Sequence, residues 1–235
     1  MPSTIWTPRA VASKAASRQL RLWRAVEAQH VASTRRLTDN VDEQSLLEDL
    51  LERAKPPLPA QALKLHYLLA TPFRYPTPFG SRFRAASDPA VWYGAEERRT
   101  ACAELGYWRW RLMSDSAGLN GLGPSPQTLF QAKVAAITVD LDDKPFVRDR
   151  LVWMQKNDYG ATQEFARTAR AAEIGVIRYR SVRDPQIGHC GAVLTPLAFS
   201  SAKPLKQETW FLTVSRTHVT WQREDEVFEF SAADF

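Results

Sequence analysis

The chain of 235 residues is 44% hydrophobic and 24% charged, a composition that suits one large domain, or a domain with a helical appendage, and excludes disorder as its main state. Its net charge of +5 is unevenly placed: positions 1–36 hold seven basic residues against Glu27 alone, about +6, which leaves about −1 for the remainder. No stretch approaches the roughly 18 apolar residues of a membrane span, and the basic start lacks an apolar run of signal-peptide type. Cys102 and Cys190 have no ligand-type spacing. The expectation is therefore a soluble, cytoplasmic protein with reduced, structural thiols and no metal site. The basic excess reads either as a solvated helix face or as a surface for nucleic acid or an acidic partner.

In chain order, residues 8–70 read as mostly helical. Pro8 suits a first helical position, and Asn40 with Glu43 resembles a capping box opening VDEQSLLEDLLERAK, with Leu46, Leu47, Leu50 and Leu51 on one side. Lys55-Pro56-Pro57 ends that helix, and a short helix is expected over 60–69. Prolines predict extended chain over 71–78, delivering GSRFR in a loop. AVWY reads as a strand ending at Tyr93, broken by Gly94, with a helix beginning near Glu96 or Glu97. Ala101, Leu105, Trp108 and Leu112 then mark the face expected to meet the core, with Glu104 on its border. A carboxylate aimed at an apolar interior is costly unless paired, so Glu104 is a candidate working group and Arg82 a partner for it or for a shared ligand.

A Gly/Ser/Pro-rich loop is expected over 114–126, a strand over 133–141, an irregular segment over 145–159 and a helix over 162–173. The strand GVIRYRS follows, with Ser181 where it meets the loop SVRDPQIGHCG. Segments 192–199 and 209–230 supply two or three more strands, read as a meander. The fold class is α+β, divided as a helical segment over 1–70 and a core over 71–235 to which Trp23-Arg24 contributes.

GxGxxG after a strand, GxxxxGK[ST] and GxSxG are all missing, and no metal-ligand spacing occurs. The lone His189 reads as a solvated loop residue, and Tyr107-Trp108-Arg109-Trp110 as core packing rather than a base-stacking surface. Arg82, Tyr93, Glu104 and Ser181 remain, a set without an evident nucleophile and base pair. Such a set suits chemistry by charge stabilisation, as in cleavage of an N-glycosidic bond, where a carboxylate supports an oxocarbenium-like sugar.

With these residues in view the chain resembles the RES-domain family, toxins of bacterial toxin–antitoxin systems. Gly80-Ser81-Arg82-Phe83 matches the family's GGRW-type segment. Val91-Trp92-Tyr93 with Ala101-Cys102-Ala103-Glu104 matches its strand and AxxE helix. Tyr179-Arg180-Ser181 with Arg183-Asp184 matches its YxS segment, and Trp23-Arg24 its opening pair. The resemblance spans roughly residues 20–200. It implies an ADP-ribosyltransferase-like fold and destruction of NAD+ as substrate, by hydrolysis or phosphorolysis, with no further cofactor. It implies that Arg82 and an upstream arginine, Arg24 or Arg74, hold the pyrophosphate, a task suited to a planar fork of donors. Tyr93 would stack on nicotinamide, Glu104 would bind the ribose beside the scissile bond, and Ser181 would orient the nicotinamide or ribose. It also implies a helix-turn-helix, Xre-type antitoxin as partner, through which alone nucleic acid would be met, and allows a homodimer. Two rival readings stand beside it: transfer of ADP-ribose to a protein, and a non-enzymatic nucleic-acid or protein-binding module using the basic N-terminal segment.

Overall fold

Residues 16–27 alternate in a way that serves a sheet with two covered faces. Leu20 and Leu22 turn to one side and Trp23 and Ala25 to the other, into two separate apolar cores. The computed structural model, which describes residues 6–28, 40–75 and 78–235, makes this segment a twelve-residue strand, β1 (Ala16–Glu27). It runs antiparallel to a twenty-residue strand, β3 (Gly121–Asp140), from the Ala16/Thr138 pair to the Glu27/Gln127 pair.

This corrects the helical reading of 8–70. The helix-forming Arg, Leu and Ala residues of β1 are outweighed by full-length pairing with β3 and by burial on both faces. Helices occupy other parts of that segment. In α1 (Pro8–Ala12), Pro8 takes a first-turn position behind the Thr7 cap, whose hydroxyl accepts from the Ala10 amide. In α2 (Val41–Ala54), Asn40 Oδ1 accepts from the Glu43 amide at 2.9 Å while its side-chain amide donates to the Glu43 carboxylate at 2.9 Å. Leu46, Leu50 and Leu51 of α2 are exposed. Arg35 and Arg36 lie outside the described residues, as do positions 76 and 77 of the predicted extended segment.

A third helix, α3 (Tyr67–Arg74), replaces extended chain at 71–74. Pro72 removes one helical hydrogen bond, but Leu68, Leu69 and Phe73 bury themselves in the second core, and that gain decides the conformation. β2 (Trp92–Ala95) contains Gly94 rather than ending before it. A Cβ at Gly94 would stand 2.5 Å from the Trp92 ring, so glycine is what the packing permits. α4 (Arg98–Ser114) follows, flanked by Glu97. At Gly106 a Cβ would meet Val219 at 2.9 Å, which places the helix backbone close against the sheet.

The expected loop over 114–126 is largely the start of β3. Pro124 sits where the register with a neighbour shifts between Leu122 and Ser125, the kind of irregularity at which a strand tolerates proline, while Pro126 stays in register opposite Phe211. Over 145–159, a 3-10 turn, Phe146–Asp149, leads into α5 (Arg150–Trp153). The predicted helix at 162–173 is α6 (Gly160–Ala171). β4 (Val176–Arg180) and β5 (His189–Val193) follow, and β6 (Lys206–Ser215), β7 (His218–Arg223) and β8 (Glu226–Ser231) form the predicted meander.

Among the described residues these strands make one eight-stranded sheet of order β1-β2-β5-β4-β3-β6-β7-β8. The additional β1–β3 pairing closes β1, β2, β5, β4 and β3 into a ring, from which β6 to β8 extend as a wing. α4 packs its Ala103, Tyr107 and Met113 into the larger core, against Trp210, Val219 and Trp221 of the wing. The architecture is α+β, the class expected from the sequence, although the helical start that supported that expectation is largely strand β1. Among the described residues no helix is long and apolar enough to cross a membrane.

Candidate active site

A cleft of about 440 Å³ opens between β1, β2, α4 and the turn at Gly80 and Ser81, within the size range of small-molecule sites. Arg24, Arg82, Tyr93 and Glu104, widely separated in sequence, all line it. Arg74 does not: its Nε donates to the Pro56 carbonyl at 2.8 Å and its guanidinium lies over Tyr75. The upstream arginine in the cleft is therefore Arg24.

The turn that presents Arg82 is built from reciprocal backbone bonds between Ser81 and Arg84. Its two arginines have different surroundings. Arg84 donates to the carbonyls of Phe79, Ala86 and Asp88 and so braces the loop. Arg82 donates Nη1 to the Trp153 carbonyl at 2.8 Å, and its guanidinium lies 4.9 Å from the Tyr159 ring centroid. Tyr93 fastens this turn to β2: its hydroxyl bonds with Ser81 Oγ at 2.8 Å and accepts from the Phe83 amide at 3.0 Å. Burial raises the Tyr93 phenol above its ordinary pKa, so it stays protonated at neutral pH.

Arg24 reaches the Tyr93 carbonyl from β1, Nη1 to O at 2.8 Å, and its guanidinium lies 5.4 Å from the Trp92 ring centroid. Its Nε is buried without a hydrogen-bond partner among the described residues. Burial lowers the Arg24 pKa to about 10, still charged at neutral pH. A desolvated cation with an unused donor is a natural receptor for an anion.

Glu104 is the one carboxylate among the described residues that line the cleft, against the three guanidiniums of Arg24, Arg82 and Arg183. Its Oε1 accepts from Ser181 Oγ at 2.6 Å, and the Cys190 thiol lies 3.9 Å from the same oxygen. Oε2 has no protein partner among the described residues. Ser181 is itself buried and is not a lining residue. Its oxygen accepts from the amides of Arg183 and Asp184, each at 3.1 Å, so its hydroxyl proton is committed to Glu104. The serine thus orients the carboxylate from behind.

Asp184 ties the same turn to the start of α4, accepting from Arg99 and from Thr100 Oγ1, each at 2.7 Å. Burial, reinforced by Glu104, pushes the Cys190 thiol well above its ordinary pKa, and burial does the same to the Tyr179 phenol. Neither is a thiolate or phenolate nucleophile at neutral pH. His189 is engaged with Asp142, Nε2 to Oδ2 at 2.7 Å, rather than solvated. Among the described residues no group of three or more His, Cys, Asp or Glu side chains could hold a metal ion.

The stripe expected to be core on α4 is the wall of the cleft. Ala101, Leu105 and Trp108 line it, Trp108 is 52% exposed and Leu112 is 54% exposed. The buried face is turned aside, to Ala103, Gly106 and Tyr107. Glu104 therefore borders a cavity rather than a packed interior. Arg183 and Tyr159 also line the cleft, although neither was singled out in the sequence as a site residue; Tyr159 stands in an irregular segment with no pattern to mark it.

The RES domain family profile matches residues 58–215. No curated protein matches. Among solved structures, a chain of the M. tuberculosis MbcT–MbcA toxin–antitoxin complex is similar at a TM-score of 0.47 and 8% identity, with 96% of this chain and 92% of that chain covered. The family match takes in Arg82, Tyr93, Glu104 and Ser181, leaves Arg24 outside, and covers more than half of the sequence: the chain belongs to the RES domain family.

Proposed function

We propose that this protein cleaves the nicotinamide–ribose bond of NAD+ and acts as the toxin of a toxin–antitoxin pair. One observation carries the reading: among the described residues a single cleft carboxylate, Glu104, held at one oxygen by Ser181 and without a partner at the other, shares the cleft with three arginines. The arginines suit the pyrophosphate of a dinucleotide, and Glu104 suits the ribose that becomes cationic.

In the reaction the C–N bond breaks and its electron pair stays on the nicotinamide nitrogen, neutralising the pyridinium. The sugar carbon becomes oxocarbenium-like, and Glu104 stabilises that charge. Water or phosphate then attacks the sugar carbon, water losing a proton afterwards. Tyr93, its hydroxyl committed to the Gly80 turn, offers its ring face to nicotinamide. Ser181 acts through Glu104 rather than on substrate.

An antitoxin of helix-turn-helix type would restrain the enzyme by covering the cleft, which the exposed Trp108 lines. The test is to incubate purified protein with NAD+ and quantify free nicotinamide, with and without phosphate. Release is expected; none under either condition overturns the reading. Labelled ADP-ribose retained on a protein would favour transfer instead.

A further inference from the structure

Arg82 and Arg183 are both buried, at 8% and 3% exposure, and both line the cleft. Neither pairs with a side-chain carboxylate among the described residues. Asp184, the acid next to Arg183 in sequence, is already bonded to Arg99 and Thr100. What holds the two guanidiniums is the short segment from Trp153 to Tyr159. The Trp153 carbonyl accepts from Arg82, and the Lys156 carbonyl accepts from Arg183 Nη2 at 2.5 Å.

Tyr159 touches both. Its ring lies under the Arg82 guanidinium, centroid at 4.9 Å, and its hydroxyl accepts from Arg183 Nη2 at 3.3 Å. Arg183 is further fixed over the Tyr107 ring at 3.6 Å, and its Nη1 donates to the main-chain oxygen of Phe235, the last residue, at 3.3 Å. Apart from the Phe235 oxygen, which Lys156 Nζ also reaches at 2.9 Å, these partners are neutral dipoles or ring faces that orient the charges without cancelling them. Two buried like charges held in this way repel each other until an anion joins them.

We infer that Tyr159 joins Arg82 and Arg183 into one two-armed clamp for adjacent phosphoryl groups, with Arg183 as a ligand-binding residue and Tyr159 as the residue that positions both arms. The inference extends the NAD+ reading and identifies which part of the cleft takes the pyrophosphate. Arg24, on the far strand, is not required for the clamp's geometry.

The test is calorimetric titration of the full chain with inorganic pyrophosphate, which needs no turnover, accompanied by thermal melts and NAD+ kinetics. Tyr159→Phe keeps the ring under Arg82 and removes the hydroxyl, and is expected to weaken binding about threefold. Tyr159→Leu removes both contacts, and Arg183→Lys keeps the charge but loses the fork; each is expected to weaken binding about tenfold or more. KM for NAD+ should rise in the same order while kcat stays within about twofold, a split that general destabilisation would not give.

Wild-type protein that binds no pyrophosphate, or equal affinity in wild type, Tyr159→Phe and Arg183→Lys, overturns the clamp; those two variants suffice if Tyr159→Leu fails to fold. Ordered pyrophosphate binding without nicotinamide release would keep the clamp and remove the NAD+ reading. Release without the ordering removes the clamp alone.

Discussion

Ser181 and Glu104 divide one task between a buried hydroxyl and a cleft carboxylate. Ser181 Oγ takes two amide hydrogens and gives its own to Glu104 Oε1, so the carboxylate is presented with one oxygen fixed and one available. Ser181→Ala removes that bond and leaves two buried amides to find other partners. We expect kcat for NAD+ cleavage to fall about tenfold, with KM within about twofold; an unchanged kcat, measured by nicotinamide release, would remove the orienting role. That the serine at the end of GVIRYRS is a site candidate is readable in the sequence, because a small hydroxyl at a strand end is a common functional placement. That it works through Glu104 is not readable, since the two are 77 positions apart. Tyr159 and Arg183 were less legible still: their importance comes from two guanidiniums meeting one ring, and no sequence period encodes that.

At the scale of elements, α4 shows what periodicity conveys and what it leaves open. Ala101, Leu105, Trp108 and Leu112 form a true apolar stripe, and the spacing locates it correctly on the helix. Periodicity does not say what covers the stripe, and here part of the cover is a cavity. β1 failed for a complementary reason: its residues have good helix propensity, and only the distant β3, over a hundred positions later, makes it a strand.

The junction between β2 and α4 is secured by Glu96, which accepts from Arg178 of β4 at 2.6 and 2.9 Å, while Arg178 also reaches Asp140 at the end of β3. These bonds to Arg178 hold the Glu96 carboxyl below its ordinary pKa. Because the folded value lies below the unfolded one, the pair's stabilisation is complete above the unfolded value and is lost as pH falls through the folded one. Thermal melts from pH 7 to 3 should therefore show Tm dropping below about pH 4.3, and Glu96→Gln should flatten that limb. An equally steep limb in the variant would show that Glu96 contributes nothing to it.

For the whole molecule, the closed ring of five strands is what converts scattered residues into a site. β1 brings Arg24, the Gly80 turn brings Arg82, β2 brings Tyr93, and α4 brings Glu104 to one cleft. The motifs that carry the family resemblance mark most of these residues, and their order along the chain was legible; the β1–β3 closure that lets Arg24 reach the Tyr93 carbonyl was not. The resulting cleft, lined among the described residues by three guanidiniums and one carboxylate, is suited to a diphosphate-bearing substrate whose sugar becomes positively charged. The most direct test compares nicotinamide release from NAD+ by the wild type and by Glu104→Gln, an isosteric change that removes the charge while keeping an oxygen for Ser181. With Tm unchanged, a fall of about 10²-fold or more is predicted, the scale of one lost transition-state electrostatic contact; a variant that retains more than a third of the wild-type rate would contradict the account.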